Sequence, residues 1–364
     1  MMKIPRTVCL TVAAVCIGGC SPKSDVVNPP VQFVQEIMED RDHPAHDILD
    51  AVSELSRYSD IEIVGSAECC LQYAQMFHDF DIHDNVDGSH RPDALPDFAG
   101  ERLVALSGGV PAAGSSSEAL REFASRQLLN ALDTTYNLSP YDLEGLGHKN
   151  RSKIVVMAEP GFVLDGKRDI DTLLTFHSCP VPVLYPLEIA ISDVIRGRKS
   201  VSAGFVCSSS AKDSTIYESV LRRIADNECV RVDAVFTTSA DEEWDNPLHS
   251  FLDRYMTSGT GVPLDVVIVD DPGLDISSFR EGGTSVTSVL SPESLVYGRY
   301  LSDGFKVVEV HEALLDRCYH LLRDLNLFTH SISFPVLDFY SVISHPDPEN
   351  SSLLLVPANA YVQK

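Results

Sequence analysis

Basic residues are scarce in this chain: 28 Lys and Arg stand against 53 Asp and Glu, a formal charge of −25 over 364 residues. A surface of that sign repels phosphate backbones and anionic headgroups, which excludes nucleic acid as an expected partner. No GxSxG elbow, no HExxH pair and no CxxC spacing occurs. The usual serine-elbow, zincin and zinc or dithiol readings therefore fall away. There is no low-complexity segment and no repeat of solenoid period. The N-terminal apolar run Val8–Ile17 is too short to span a bilayer, and no other span is visible. Hydrophobic residues at 44% and aromatics at 8% are nevertheless enough for a globular core.

What is present begins at the N-terminus. Lys3 and Arg6 precede the apolar run, and Ile17-Gly18-Gly19-Cys20 closes it with small residues, the layout of an export signal. The box resembles the lipobox of bacterial lipoproteins. The resemblance implies that residues 1–19 are removed and that Cys20 carries the lipid. Ser21 stands where an inner-membrane lipoprotein would often carry Asp, so the expected location is the bacterial cell envelope, lipid-anchored at the outer membrane. Membrane contact is expected through that lipid alone. Residues 20–32, with Pro29 and Pro30, read as a tether. Six cysteines remain beyond Cys20: Cys69, Cys70, Cys179, Cys207, Cys229 and Cys318. Export permits disulfides, buried thiols fit the apolar runs around Cys207 and Cys229 equally well, and spacing assigns no pairing.

Residues 33–60 carry helical periodicity broken at Pro44. Apolar strands then alternate with amphipathic helices: Ile61–Gly65, Arg102–Ser107, Ile154–Met157, Val181–Leu184, Val201–Cys207, Val230–Phe236 and Leu264–Val269 read as strands. Between them lie helices such as Cys70–Phe77, Ser117–Leu132 and Leu248–Tyr255. Near-continuous apolar strands that alternate with helices mean a parallel sheet covered on both faces. The expected fold class is α/β, with two Rossmann-like lobes, mostly parallel sheets and an interlobe cleft. Residues 61–180 form the first lobe and 181–310 the second, while 311–364 add a helix and strand returning to the first. Ligands belong beyond the strand carboxyl ends.

The stretch Gly204–Leu221 (GFVCSSSAKDSTIYESVL) passes from a buried strand through serines into a helix with Ser214 as N-cap. Hydroxyls and free N–H groups at such a turn favour an anion. Gly204, Ser208, Ser214 and Tyr217 together resemble the second-lobe signature of the aspartate/glutamate racemase superfamily. Val181-Pro182-Val183-Leu184 is similar to the family's short strand, and IEIVGS at Ile61–Ser66 follows its opening strand and loop. The likeness spans about residues 60–270. It implies a pocket for a small carboxylate-bearing molecule, with Ser66, Ser208, Ser209, Ser214 and Tyr217 as ligand-binding candidates and no cofactor.

The departures concern the chemistry. The family's two opposed cysteines take and return an α-proton from opposite faces, and both are required. Here Ala158 stands at the first position, in Met157-Ala158-Glu159-Pro160, and Asp271 at the second, in Asp270-Asp271-Pro272-Gly273. Gly65 replaces the opening loop's Asp. The resemblance thus implies a retained fold and part of a pocket without two-cysteine racemisation, with Glu159 and Asp271 facing the pocket as the candidate catalytic groups. Two other classes stay open: a substrate-binding lipoprotein of an ABC transporter on the type I periplasmic-binding plan, and a hydrolase or lyase using Glu159 or Asp271 as general base. The acidic stretch Phe77–Glu101 faintly echoes a calcium loop at His83–Gly88. Ala94 falls where that loop needs Glu, so the stretch reads as solvated and no metal site is assigned. The small-residue loop after Ser107 lacks a phosphate-binding lysine.

Overall fold

A computed structural model describes residues 29–108, 115–208, 215–238, 247–258, 261–271, 274, 297–331, 333–347 and 352–358. They divide into two compact units, Ser24–Ile189 with His311–Lys364, and Ala190–Val310. Cys20, the expected lipid attachment site, lies outside the described residues, as do Ser209 and Ser214. Among the described residues, no helix is long and apolar enough to cross a membrane.

The first unit opens with short helices α1 (Gln32–Glu39) and α2 (Ala45–Asp50), separated at Pro44. There follow β1 (Asp60–Gly65), α3 (Ala67–Asp79), β2 (Arg102–Ser107), α4 (Ser117–Leu132), the hairpin β3 (Thr135–Ser139) and β4 (Asp142–His148), β5 (Ser152–Met157), α5 (Phe162–Asp165), α6 (Lys167–His177), β6 (Val183–Leu184) and the start of α7 (Pro186–Ile195), which continues into the second unit. The second unit holds β7 (Ser200–Cys207), α8 (Thr215–Glu228), β8 (Arg231–Thr238), α9 (Pro247–Ser258), β9 (Leu264–Val269) and β10 (Leu301–Glu309). The chain then returns to the first unit with α10 (Val310–Asp324), β11 (Val336–Ser344) and β12 (Leu353–Pro357).

The first sheet runs β12-β11-β2-β1-β5-β6 and is parallel apart from the β11/β12 pair. Its strands β1, β2 and β5 are buried almost throughout, which is why they read as unbroken apolar runs. Ile61, Ile63, Leu103 and Ile154 share one core with Tyr73 and Phe77 of α3 and Leu314 and Leu322 of α10. On the other face α4 packs on β1 and β5. Arg121 of α4 grips the buried Asp169 of α6 with two nitrogens, at 2.7 and 2.8 Å. The same carboxylate accepts the Val31 N–H at 2.9 Å and fixes the start of α1. Cys69, Cys70, Cys179, Cys207, Cys229 and Cys318 are free thiols.

The second sheet, β10-β9-β7-β8, is parallel throughout. Gly204 in β7 owes its identity to packing: a Cβ there would lie 2.3 Å from Phe251 Cζ of α9. Phe251 is itself buried in the unit's core. Gly204→Ala should therefore lower stability by about 1–3 kcal/mol, the usual cost of overpacking. Thermal unfolding checks this, and adding Phe251→Leu should recover part of the loss by making room.

Two elements depart from the sequence expectation. The β3/β4 hairpin is exposed along most of β4 and lacks the apolar signature of a core strand. The C-terminal return brings two strands to the first sheet, β12 as well as β11.

Candidate functional site

In a parallel sheet all strands end at one edge, and the groups beyond that edge can face a common ligand. In the first unit β1 ends at Gly65, and Ser66 caps α3 by accepting the Cys69 N–H at 3.3 Å. A hydroxyl that accepts one bond still has its own proton to donate. From the end of the neighbouring β5, the half-buried Glu159 accepts the Ser66 N–H at 2.7 Å. A carboxylate at the N-terminus of a 13-residue helix is favoured by the helix dipole. A Cβ at Gly65 would sit 3.3 Å from Ala158 Cβ, a tight contact, and 3.4 Å from Glu159 Oε1, an ordinary one. Ala158 is buried and bonds back to Val64 through its N–H at 2.8 Å. The nearby Cys70 is no nucleophile: burial first, and Glu159 second, push its thiol up to about 12.

The first-unit anion position is thus filled from within. A hydrogen bond joins Ser66 and Glu159 across 93 residues of chain. The Ser66 hydroxyl has a proton to donate, and the Glu159 carboxylate can accept further bonds.

In the second unit β7 ends at Cys207 and β9 at Val269. Tyr217 of α8 is completely buried between those ends. Its hydroxyl donates to Asp270 Oδ2 at 2.6 Å and accepts the Ser208 N–H at 3.0 Å. Burial first and the Asp270 charge second hold the phenol far above its ordinary value. The same two causes raise the buried Cys207 thiol. Tyr217 sets the positions of Ser208 and Asp270, and it presents no surface of its own to a ligand. Asp270 bonds to Val206 O through its N–H at 2.8 Å, and Asp271 follows it, also buried. Ser208 is half-buried. Tyr217→Phe should cost about 1–3 kcal/mol, because the buried Asp270 and Ser208 lose this partner. Urea unfolding measures it, and unchanged stability would show that the bridge carries nothing.

The glycine loop after β2 has a packing explanation. Gly108 adopts φ +112°, and a Cβ there would meet Val342 O of β11 at 2.6 Å. Its carbonyl accepts from Gln127 Nε2 at 2.9 Å. At the opposite, amino-terminal edge of the first sheet lies a cavity of about 300 Å³ lined by Arg57, Glu101, Arg102 and His330. Its charged groups are paired within the protein: Arg57 with His330, and Glu101 with Lys153 and the Thr329 N–H.

The reading of Phe77–Glu101 as a solvated acidic loop needs correction. His83, Asp84 and Asp97 are buried. The carboxylates are spent on the loop's own backbone: Asp97 accepts the N–H groups of Ile82 and His83, and Asp84 those of Val86 and Asp87. His83 meets Asp316 of α10, more than 200 residues away, a link that local sequence pattern does not show.

No protein-family model matches the chain, and no curated protein sequence matches it either. Among solved structures the chain is similar to a glutamate racemase from Bacillus anthracis, at 14% identity and a TM-score of 0.45, over 78% of this chain and 89% of that one. It is similar to glutamate racemase from Thermus thermophilus in complex with β-chloro-D-alanine, at 14% identity and a TM-score of 0.44, over 81% and 91%. An aspartate racemase homologue from Pyrococcus horikoshii OT3 is similar at 11% identity and a TM-score of 0.35, over 73% and 99%.

Proposed function

We propose that this chain is an exported, lipid-anchored envelope protein that binds a small carboxylate-bearing molecule of amino-acid type and does not racemise it. The observation that carries the reading is the pair of strand-end positions where opposed thiols are needed: they hold Ala158, which has no titratable group, and Asp271. Two thiols next to strand ends, Cys207 on β7 and Cys70 on α3, are buried with raised pKa values, while Cys69 of α3 lies beside Ser66 and is partly buried. Thiolate is the nucleophilic and basic form, so neither Cys207 nor Cys70 serves as a base near neutral pH. In the second unit the Ser208 hydroxyl suits a carboxylate, and in the first unit Glu159, held on the Ser66 N–H, suits an ammonium group. The fixed orientation of Glu159 on the Ser66 N–H also supports a second reading, in which Glu159 is the general base of a hydrolase or lyase.

The test is a panel of D- and L-amino acids and dicarboxylates added to the full chain, with the unfolding temperature followed. A ligand at about 100 times its Kd stabilises by about 2.7 kcal/mol. Ser208→Ala and Glu159→Gln should each reduce the shift for the best ligand. A panel without any shift sinks the binding reading, and turnover that vanishes in Glu159→Gln would favour the second. The anchor is tested separately: Cys20→Ser should release the protein from the membrane fraction.

A further inference from the structure

His83 has no role in the strand-end chemistry, and its surroundings call for one. Its ring is 2% exposed and stacks on Tyr319 of α10, with centroids 4.0 Å apart and planes 6° from parallel. Its Nε2 lies 3.0 Å from Asp316 Oδ1. His320, one helical turn beyond Asp316, places its own Nε2 3.5 Å from that same oxygen. One ligand atom from each of the three residues lies within 4.8 Å of the other two. His83 Nδ1 is buried without a hydrogen-bond partner.

We propose that His83, Asp316 and His320 form a binding site for a divalent transition metal of the zinc type, independent of the strand-end pocket. Zinc bonds nitrogen and carboxylate oxygen at about 2.0–2.2 Å, which sets the ligand atoms of a tetrahedron about 3.4 Å apart. The two separations to Asp316 Oδ1, 3.0 and 3.5 Å, bracket that spacing, and the third pair lies within 4.8 Å. Read as hydrogen bonds alone, both imidazoles use one oxygen, and the longer contact lies beyond the normal range. Read as a metal site, three ligand atoms within 4.8 Å of one another can share a single centre.

The donor set also selects the ion. Calcium and magnesium take oxygen ligands, whereas two imidazoles and a carboxylate suit zinc and its neighbours. The site is partly preorganised: the stack on Tyr319 fixes the His83 ring, and i, i+4 spacing puts Asp316 and His320 on one face of α10. At Nε2, a metal–imidazole bond stabilises the buried ring more than one hydrogen bond to a half-exposed carboxylate does. Asp316 and His320 remain 45% and 49% exposed, which leaves the fourth position to water. A bound metal would pin the loop carrying His83 to α10, across 233 residues of chain.

The full chain, without a histidine tag and stripped by a chelator, is titrated with Zn²⁺ by calorimetry and with Co²⁺ by visible absorption. The expected result is one equivalent of Zn²⁺ and the intense d–d bands of tetrahedral cobalt. Asp316→Asn and His320→Gln change half-exposed side chains, so both should fold, as circular dichroism will show. Each should weaken Zn²⁺ binding by about tenfold or more. The proposal is overturned if no stoichiometric binding occurs, or if both variants take up Zn²⁺ and Co²⁺ as the unaltered chain does.

Discussion

Replacing Lys149 with Met is expected to cost about 3–5 kcal/mol at about pH 8, and much less at about pH 5. Lys149 Nζ bonds to Glu62 Oε1 and Ala131 O, each at 2.7 Å, under α4. Glu62 is fully buried in β1, and burial pushes its carboxyl up to about 7, against the opposing pull of Lys149. A carboxyl raised from 4.5 to about 7 keeps its proton in the folded state where the unfolded chain has lost it. Stability therefore falls as pH rises through that window. Without Lys149 the folded value climbs further, and the loss extends to higher pH. Urea unfolding of both proteins at the two pH values gives the deficit. A deficit that does not change with pH would mean that Glu62 is not the group left uncompensated.

His311 acts with the opposite sign. It is buried near the start of α10, with its ring 4.8 Å from that of Tyr73, and burial pushes its pKa down from 6.5 to about 4. The folded state holds the ring neutral while the unfolded chain binds a proton. Stability is then complete above about 6.5 and falls by about 3 kcal/mol as pH drops to about 4. His311→Phe should remove this acid-side loss while keeping the aromatic contact. An acid limb of equal depth in the variant would assign the loss to another group. In the unaltered chain Glu62 and His311 offset one another between pH 4.5 and 6.5, so the single variants reveal what the parent conceals.

The parallel strands were legible because burial on both faces writes an unbroken apolar run: Ile61–Gly65, Arg102–Ser107 and Leu264–Val269 all stand as read. Helix Ser117–Leu132 was equally clear, with a serine cap at Ser116. The β3/β4 hairpin was not, since an exposed two-stranded ribbon has no core face to impose alternation. Buried charge was invisible as well. Glu62, Lys149 and Lys153 look like surface residues until partners 87 and 52 positions away are placed beside them. In the candidate site, sequence pattern brought out Ser66, Ser208 and Glu159. It could not show that Glu159 occupies the Ser66 N–H, or that Tyr217 is sealed between Ser208 and Asp270. Such links depend on which strands are neighbours, and local periodicity does not encode that. The same reason hid His83, Asp316 and His320 from a reading that treated Phe77–Glu101 as one local segment.

One measurement bears most directly on binding without racemisation. The amino acid that raises the unfolding temperature most is incubated with the protein in D₂O, and its α-proton is followed by NMR. The account predicts a bound ligand that keeps its α-proton and its configuration at every time point. Exchange of that proton for deuterium, or the appearance of the other enantiomer, would contradict it.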